Sequence, residues 1–298
     1  MLSTESTLAH VEVPGLEPWR RGKVRSVYEA GPQHLVIVAS DRLSAYDHVL
    51  PTPIPSKGRV LTELSVFWFK TLRHATPHHF VTADPHAYPA PFAAHAAMLE
   101  GRSMLVRRAE RIDIECVVRG YLTGSGWKEY RAGGTVCGIA LPTGLTDGAR
   151  LEPAIFTPAT KEDSGHDQNI SFENMCERVG EPTATALRAR SLAIYEEARA
   201  HAWSRGLVLA DTKFEFGRVD GQLTLIDEVL SPDSSRYWDR AEYESGRLLS
   251  FDKQYVRDWL DQSGWNHEPP VPALPDDVVR RTRERYLEAM RRLTGAAA

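Results

Sequence analysis

Apolar residues recur along the chain at two spacings, and the changes between them mark out the elements. Val24 and Val27, then Leu35, Val36, Ile37 and Val38, flank Gly31-Pro32, so residues 23–40 predict two strands joined by a turn. In residues 58–75, Leu61, Leu64, Val66, Phe67, Phe69 and Leu72 fall near helical spacing and predict a helix with one apolar face. Residues 103–122 hold two apolar runs separated by Arg107, Arg108, Glu110 and Arg111, which reads as a strand, a crossover and a second strand. Residues 133–165 are dense in Gly, Pro and Thr without sustained periodicity, and predict a long, substrate-facing loop. Leu187, Leu192, Ile194, Tyr195 and Ala198 place the longest helix over 182–205. A second hairpin follows, turning at Asp220-Gly221, and two helices over 253–262 and 275–293 flank the proline-rich HEPPVPALP. The pattern predicts an α+β chain of two packed lobes: a sheet-rich, antiparallel N-terminal lobe (residues 1–113) and a mixed α/β second lobe (114–298) ending in helices.

Composition narrows the function. A chain of 298 residues with 42% hydrophobic content can bury one large core or two smaller ones. Its 36 basic and 40 acidic residues nearly cancel to a net charge of −4, which leaves no long-range positive field for a nucleic-acid backbone; anions must be met locally. The three cysteines, Cys116, Cys137 and Cys176, form no CxxC pair and fit a reducing cytoplasm. The first residues lack a basic start and an apolar run, and no stretch approaches the ~20 apolar residues of a membrane span. Neither secretion nor a membrane is expected.

Candidate chemistry gathers in a few strings. Asp211, Lys213 and Glu215 alternate on one strand of the late hairpin and so share a face, while Asp227 and Glu228 end the other strand. A tight turn brings Glu215 near Asp227, a pair of hard oxygen donors suited to magnesium bound with nucleotide phosphates, and Lys213 could neutralise phosphate charge. The alternative is a solvated strand face paired across the hairpin; the flanking apolar runs LVLA and LTLI argue instead for internal carboxylates that need a cation. Gly22 and Lys23 open the first hairpin and could present backbone amides and a point charge to an anion, although an ordinary basic surface turn would look alike. Arg119 lies in an apolar run ahead of Gly124-Ser125-Gly126, and Ser234, Ser235 and Arg236 follow the late hairpin. Both strings could grip a phosphate or carboxylate. Lys161, His166 and Asp167 gather in one loop as a possible clamp over reacting groups.

In order, the strings RGKVRSVYE, SDRLSAYDHVLPTPIPSKG, ECVVRGYLTGSGWKEY, PAIFTPATKEDSGHDQNIS, LADTKFEFG and IDEVLSPDSSRYW resemble the phosphoribosylaminoimidazole-succinocarboxamide synthase (SAICAR synthetase) family over residues 21–258. The resemblance implies a fold related to the ATP-grasp enzymes and a carbon–nitrogen ligase of purine synthesis using ATP and Mg2+. In that reaction ATP phosphorylates an imidazole carboxylate and the aspartate amine displaces phosphate. It further implies ATP contacts at Gly22, Lys23, Arg25, Arg107, Ala109, Glu110 and Lys213. Magnesium would lie at Glu215 and Asp227, and the ribonucleotide at Arg119, Ser125, Ser235 and Arg236. The substrate cleft would include Asp41, Ser44, Asp47, Lys57, His166 and Asp167, with Lys213, Lys161 and Asp211 as the catalytic groups. The N-terminal arm and C-terminal helices resemble the longer, generally monomeric version of the family. Two departures stand out: Gly120 where shorter members have asparagine, and Ser234 in place of a glycine.

Two rivals remain at this level. A small-molecule kinase could use the same carboxylate pair, but HRD and DFG strings are missing and two arginine-bearing anion sites imply a phosphorylated acceptor. A silent nucleotide-binding module would bind ATP without product.

Overall fold

The structure, a computed structural model, describes residues 7–161 and 168–296. The first sheet is built from β1 (Arg20–Arg21), β2 (Arg25–Glu29) and β3 (His34–Ala39). A small hairpin follows, β4 (Ser44–Ala45) with β5 (His48–Val49), and then helix α1 (Lys57–Thr71). Next come β6 (Phe80–Thr82), the single turn α2 (Ala96–Leu99) and β7 (Ser103–Arg107). The strand order is β1-β2-β3-β7-β6, antiparallel throughout. Alternation gives this sheet two buried faces. Tyr28, Val36, Val38 and Leu105 pack with Val11 and Val13 of the N-terminal arm and with Phe92 and Leu99. On the opposite face Ile37 and Val106 join the main core.

At Arg108 and Ala109 the chain crosses to a second sheet. There β8 (Glu110–Arg111) and β9 (Ile114–Tyr121) precede α3 (Gly124–Gly133). The segment expected as one long loop holds a hairpin of β10 (Thr135–Val136) and β11 (Ile139–Ala140), then β12 (Arg150–Phe156) and β13 (Ala159–Thr160). Pro153 and a register shift between Arg150 and Ile155 break the alternation of β12, an edge strand, which is why no period was visible. Helices α4 (Phe172–Val179) and α5 (Glu181–Ser204) lead into the late hairpin, β14 (Leu207–Val219) and β15 (Gln222–Ile226). Then come β16 (Ser235–Asp239), α6 (Arg240–Glu244), α7 (Gln254–Gln262) and α8 (Asp276–Thr294).

The second sheet runs β12-β9-β14-β15, with β13 on β9 and both β8 and β16 on β14. All its pairings are antiparallel. No helix separates β7 from β9: the expected crossover is the short passage from one sheet to the other. Behind the sheet, Leu187, Ile194, Tyr195 and Ala198 of α5 pack on Phe214 and Phe216 in a core shared with Leu64 and Trp68 of α1 and Tyr286 of α8. A second cluster seats Val256, Leu260, Leu274 and Val278 on Leu43, Leu50 and Ile54, so the C-terminal helices return to the first half of the chain. The α+β reading stands, with antiparallel sheets throughout. No helix among the described residues is long and apolar enough to cross a membrane.

Candidate active site

One cavity of about 1400 Å3 lies between the sheets and collects the tip of the β1–β2 hairpin, the passage from Arg107 to Arg111, and the facing sides of β9 and β14. Strand geometry selects its lining. In β14 Asp211, Lys213 and Glu215 are two residues apart and share a face, and antiparallel pairing of Asp211 with Arg119 and Lys213 with Val117 puts Glu115 and Arg119 of β9 on the same face.

At one end Arg119 donates to Asp211 (Nη1 to Oδ2, 3.1 Å), to Ser125 Oγ (3.0 Å) and to Thr157 Oγ1 (3.0 Å). Arg236 donates to the same Asp211 oxygen at 2.5 Å. One carboxylate thus holds two guanidiniums together, leaving net positive charge. Burial and the nearby Arg236 lower the Arg119 pKa, against Asp211, while for Arg236 burial is outweighed by Asp211 and Asp252 and the pKa rises. Among the described residues Arg236 Nε has no hydrogen-bond partner, so a buried donor is unspent. Gly124, in the string expected to grip a phosphate or carboxylate, begins α3 in the left-handed region (φ 57°); a Cβ there would collide with Arg236, and one at Gly126 would meet Arg119 Cδ at 3.1 Å. The glycines let two guanidiniums lie against a helix N-terminus carrying Ser125, an arrangement suited to a phosphate monoester. Ser235 pairs with Thr212 in the ladder, its Oγ 2.8 Å from Thr212 Oγ1, and lines the same end.

In the middle Lys213 Nζ donates to Glu115 Oε1 (2.7 Å), and Lys161 Nζ to Glu115 Oε1 (2.8 Å) and Glu215 Oε1 (2.7 Å). Burial would raise Glu115, but Lys213 and Lys161 outweigh it and the carboxyl lies below its usual range. Burial likewise opposes the Lys161 charge, yet Glu215 and Glu115 raise its pKa. Glu215 is raised, first by burial and then by Asp227, against the two lysines. Asp227, just past β15 with φ 64°, accepts a two-pronged bond from Arg25 at 2.6 and 2.8 Å. Burial opposes the Arg25 charge, but Asp227, Glu228 and Glu215 hold its pKa above the ordinary value. Lys23 pairs with Asp47 at the mouth, beside Ser44, and Gly22 closes the hairpin tip by donating to the Arg25 carbonyl at 2.8 Å.

Two expected cleft residues lie elsewhere. Asp41 is buried and structural: it accepts from the backbone N–H groups of Leu8 (2.8 Å) and Gly58 (2.9 Å), because α1 begins there with a left-handed Ser56 and no side-chain cap of its own. Lys57 is fully buried and donates to Asp233 at 2.6 Å, so it stands behind the wall that Asp233 lines. His166 and Asp167 fall outside the described residues. Sequence reasoning missed Glu115, the shared partner of both lysines, and Lys253, whose pKa burial lowers to about 8 beside Asp233. Glu115 stood in a quoted string two positions before Val117, so the β9 alternation could have found it.

The family model for SAICAR synthetase matches residues 18–272. The chain belongs to the SAICAR synthetase family. It is 49% identical to the phosphoribosylaminoimidazole-succinocarboxamide synthase of Syntrophobacter fumaroxidans, covering 99% of this chain and 98% of that one. With the enzyme of the same name from Desulfosudis oleivorans the identity is 52%, over 98% and 100%. Among solved structures, the SAICAR synthase of Saccharomyces cerevisiae in complex with SAICAR superposes with a TM-score of 0.87 at 40% identity, covering 98% of this chain and 99% of that one.

Proposed function

We propose that the cleft between the sheets carries out the family's reaction, the ATP-dependent joining of L-aspartate to 5-amino-1-(5-phosphoribosyl)imidazole-4-carboxylate in purine (IMP) synthesis. The products are SAICAR, ADP and phosphate. The observation that supports this reading is the charge layout of one cavity: cations suited to phosphate stand at both ends, and a carboxylate pair lies between them.

A carboxylate is a poor acyl donor because oxide is a poor leaving group. In the proposed sequence the imidazole carboxylate takes the terminal phosphoryl group of ATP, and the aspartate amine attacks the resulting acyl phosphate. The C–N bond forms as phosphate leaves, and the amine proton is lost. Crowding of negative charge is the main barrier to the first transfer. Glu215 and Asp227 fit a magnesium ion: both offer hard oxygen donors, burial and then the neighbouring Asp227 charge raise the Glu215 pKa, and a shared cation would relieve that repulsion. When bound, the ion would neutralise phosphate charge alongside Lys213 and Lys161. Gly22, Lys23 and Arg25 would meet the ATP phosphates, and Arg107, Ala109 and Glu110 the base. Arg119, Ser125, Ser235 and Arg236 would hold the ribonucleotide phosphate, with Asp211 keeping both guanidiniums aimed. Ser44 and Asp47 would stand at the entry used by aspartate. The protein is read as a cytoplasmic monomer.

The test is a reaction with ATP, magnesium, aspartate and the ribonucleotide, followed by mass for SAICAR. Little phosphate should appear when aspartate is omitted, whereas a kinase would still turn over ATP. Glu215→Ala and Asp227→Ala should each abolish turnover with circular dichroism unchanged; full activity in either would place the metal elsewhere.

A further inference from the structure

We infer that Trp19 belongs to the nucleotide site, where its indole closes the outer rim of the slot for the adenine base. The inference rests on the nucleotide reading above and adds a residue from the N-terminal arm. Among the exposed large apolar side chains of the described residues, which include Val49, Val81 and Leu248, Trp19 is the most exposed at 55% and the one that lines the cleft.

Its position follows from strand register. Arg20, the next residue, pairs with Val27, so Trp19 stands at the outer end of the hairpin whose tip carries Gly22 and Lys23. Val27, Leu35, Ile37 and Val106 line the cleft from the first sheet, an apolar floor on which a flat purine can lie. The passage from Arg107 to Glu110 borders that floor, and there Arg108 Cζ sits 5.1 Å from the centroid of the Trp19 ring. Arg108 is itself fixed. Its Nη2 donates to Glu29 Oε1 at 2.6 Å, and its backbone N–H donates to the Gln33 carbonyl at 2.7 Å. The guanidinium therefore braces one face of the indole and leaves the rest of the ring free to meet a base. The tip of the hairpin would then engage phosphates while its outer end engages the base, so one two-stranded element would grip both ends of the nucleotide.

ADP titrated into the parent protein should change its intrinsic tryptophan fluorescence, and Trp19→Phe should lose most of that change while still showing an ADP-induced rise in melting temperature. Trp19→Ala should raise the KM for ATP roughly ten-fold, the size expected for one base–aromatic stack. Its kcat at saturating ATP should stay within about two-fold, and Trp19→Phe should restore most of the KM, which a merely structural role would not produce. The inference is overturned if ADP stabilises Trp19→Ala as strongly as the parent and the fluorescence change persists in Trp19→Phe. Failure of ADP to stabilise even the parent would instead overturn the nucleotide reading, and this inference with it.

Discussion

Gly120 follows Arg119 on β9, and a Cβ there would overlap the hydroxyl of Tyr195, which donates a 2.7 Å hydrogen bond to the Leu209 carbonyl. The glycine in place of asparagine is thus a packing partner of Tyr195, a dependence between residues 75 positions apart that no local pattern carries. Gly120→Ala should cost about 2 kcal/mol, a typical figure for overpacking a filled site, and adding Tyr195→Phe should recover part of it. Denaturant midpoints read both; an unaltered midpoint in the single variant would mean that β9 shifts without cost. Ser234, the other departure, is buried. Its Oγ accepts from the Ser231 N–H at 3.1 Å, and its carbonyl accepts from the Lys213 N–H at 3.0 Å, so it fastens the turn beside the strand that carries Lys213. The added hydroxyl points into that turn and leaves the arginine pair at Asp211 intact.

Strands β9 and β14 show what alternation can and cannot reveal. Asp211, Lys213 and Glu215 were legible as one face because a period of two needs a single strand, and the Asp220-Gly221 turn announced the neighbour that brings Asp227. Glu115 needed one step more: the period of β9 alone puts it on the face of Val117 and Arg119, and only pairing with β14, almost a hundred residues on, brings that face to Lys213. The string at 124–126 was legible as a group that could grip an anion but not as the start of α3, since helix propensity penalises glycine and only the space taken by Arg119 and Arg236 explains it. Asp41 and Lys57 were placed in the substrate cleft by the family resemblance alone; the fold instead buries Asp41 against the Leu8 and Gly58 N–H groups and Lys57 against Asp233, off the cavity lining. The β9–β14 face makes a sharp expectation for Glu115→Gln, which keeps the shape and removes the charge that two lysines share. Lys161 would be left with Glu215 and Lys213 would lose its partner, so both ammonium groups should drift from the reacting atoms. Turnover should fall at least ten-fold, about 1.4 kcal/mol in the barrier, with little change in the thermal midpoint. Wild-type rates in that variant would show that Glu115 does not position the lysines.

Over the whole molecule, two buried ionisable groups tie distant parts of the chain together. His79 bridges the sheets: its N–H donates to the Leu225 carbonyl of β15, its carbonyl accepts from the Arg107 N–H, and its ring nitrogen lies 3.2 Å from the Asp227 carbonyl oxygen. Burial lowers its pKa to about 3, so the folded protein keeps it neutral while the unfolded chain protonates near 6.5. Below 6.5 the unfolded state binds the extra proton, and stability must fall with pH down to about 3; from 6.5 to 5 this group alone removes roughly 1.5 kcal/mol. His79→Gln should flatten that part of the stability–pH curve whatever its own offset, and an equal slope in both proteins would show that His79 protonates in place. Asp233 ties the cleft wall to α1 and α8, accepting from Lys57 at 2.6 Å and from the Tyr286 hydroxyl at 2.9 Å, with Lys253 at 3.3 Å. Burial opposes its charge, but Lys253 and Lys57 outweigh that and hold the carboxyl well below the usual range. Removing one partner of such a group leaves an uncompensated buried charge, a larger loss than the pair itself contributes. Asp233→Ala should therefore cost about 3–5 kcal/mol by urea unfolding. Lys57→Met in that background should return much of it by removing the stranded ammonium, while Lys253, at the cavity surface, can still turn toward water. If the second substitution adds to the loss instead, Lys57 contributes through packing in α1 and its charge is not what Asp233 balances.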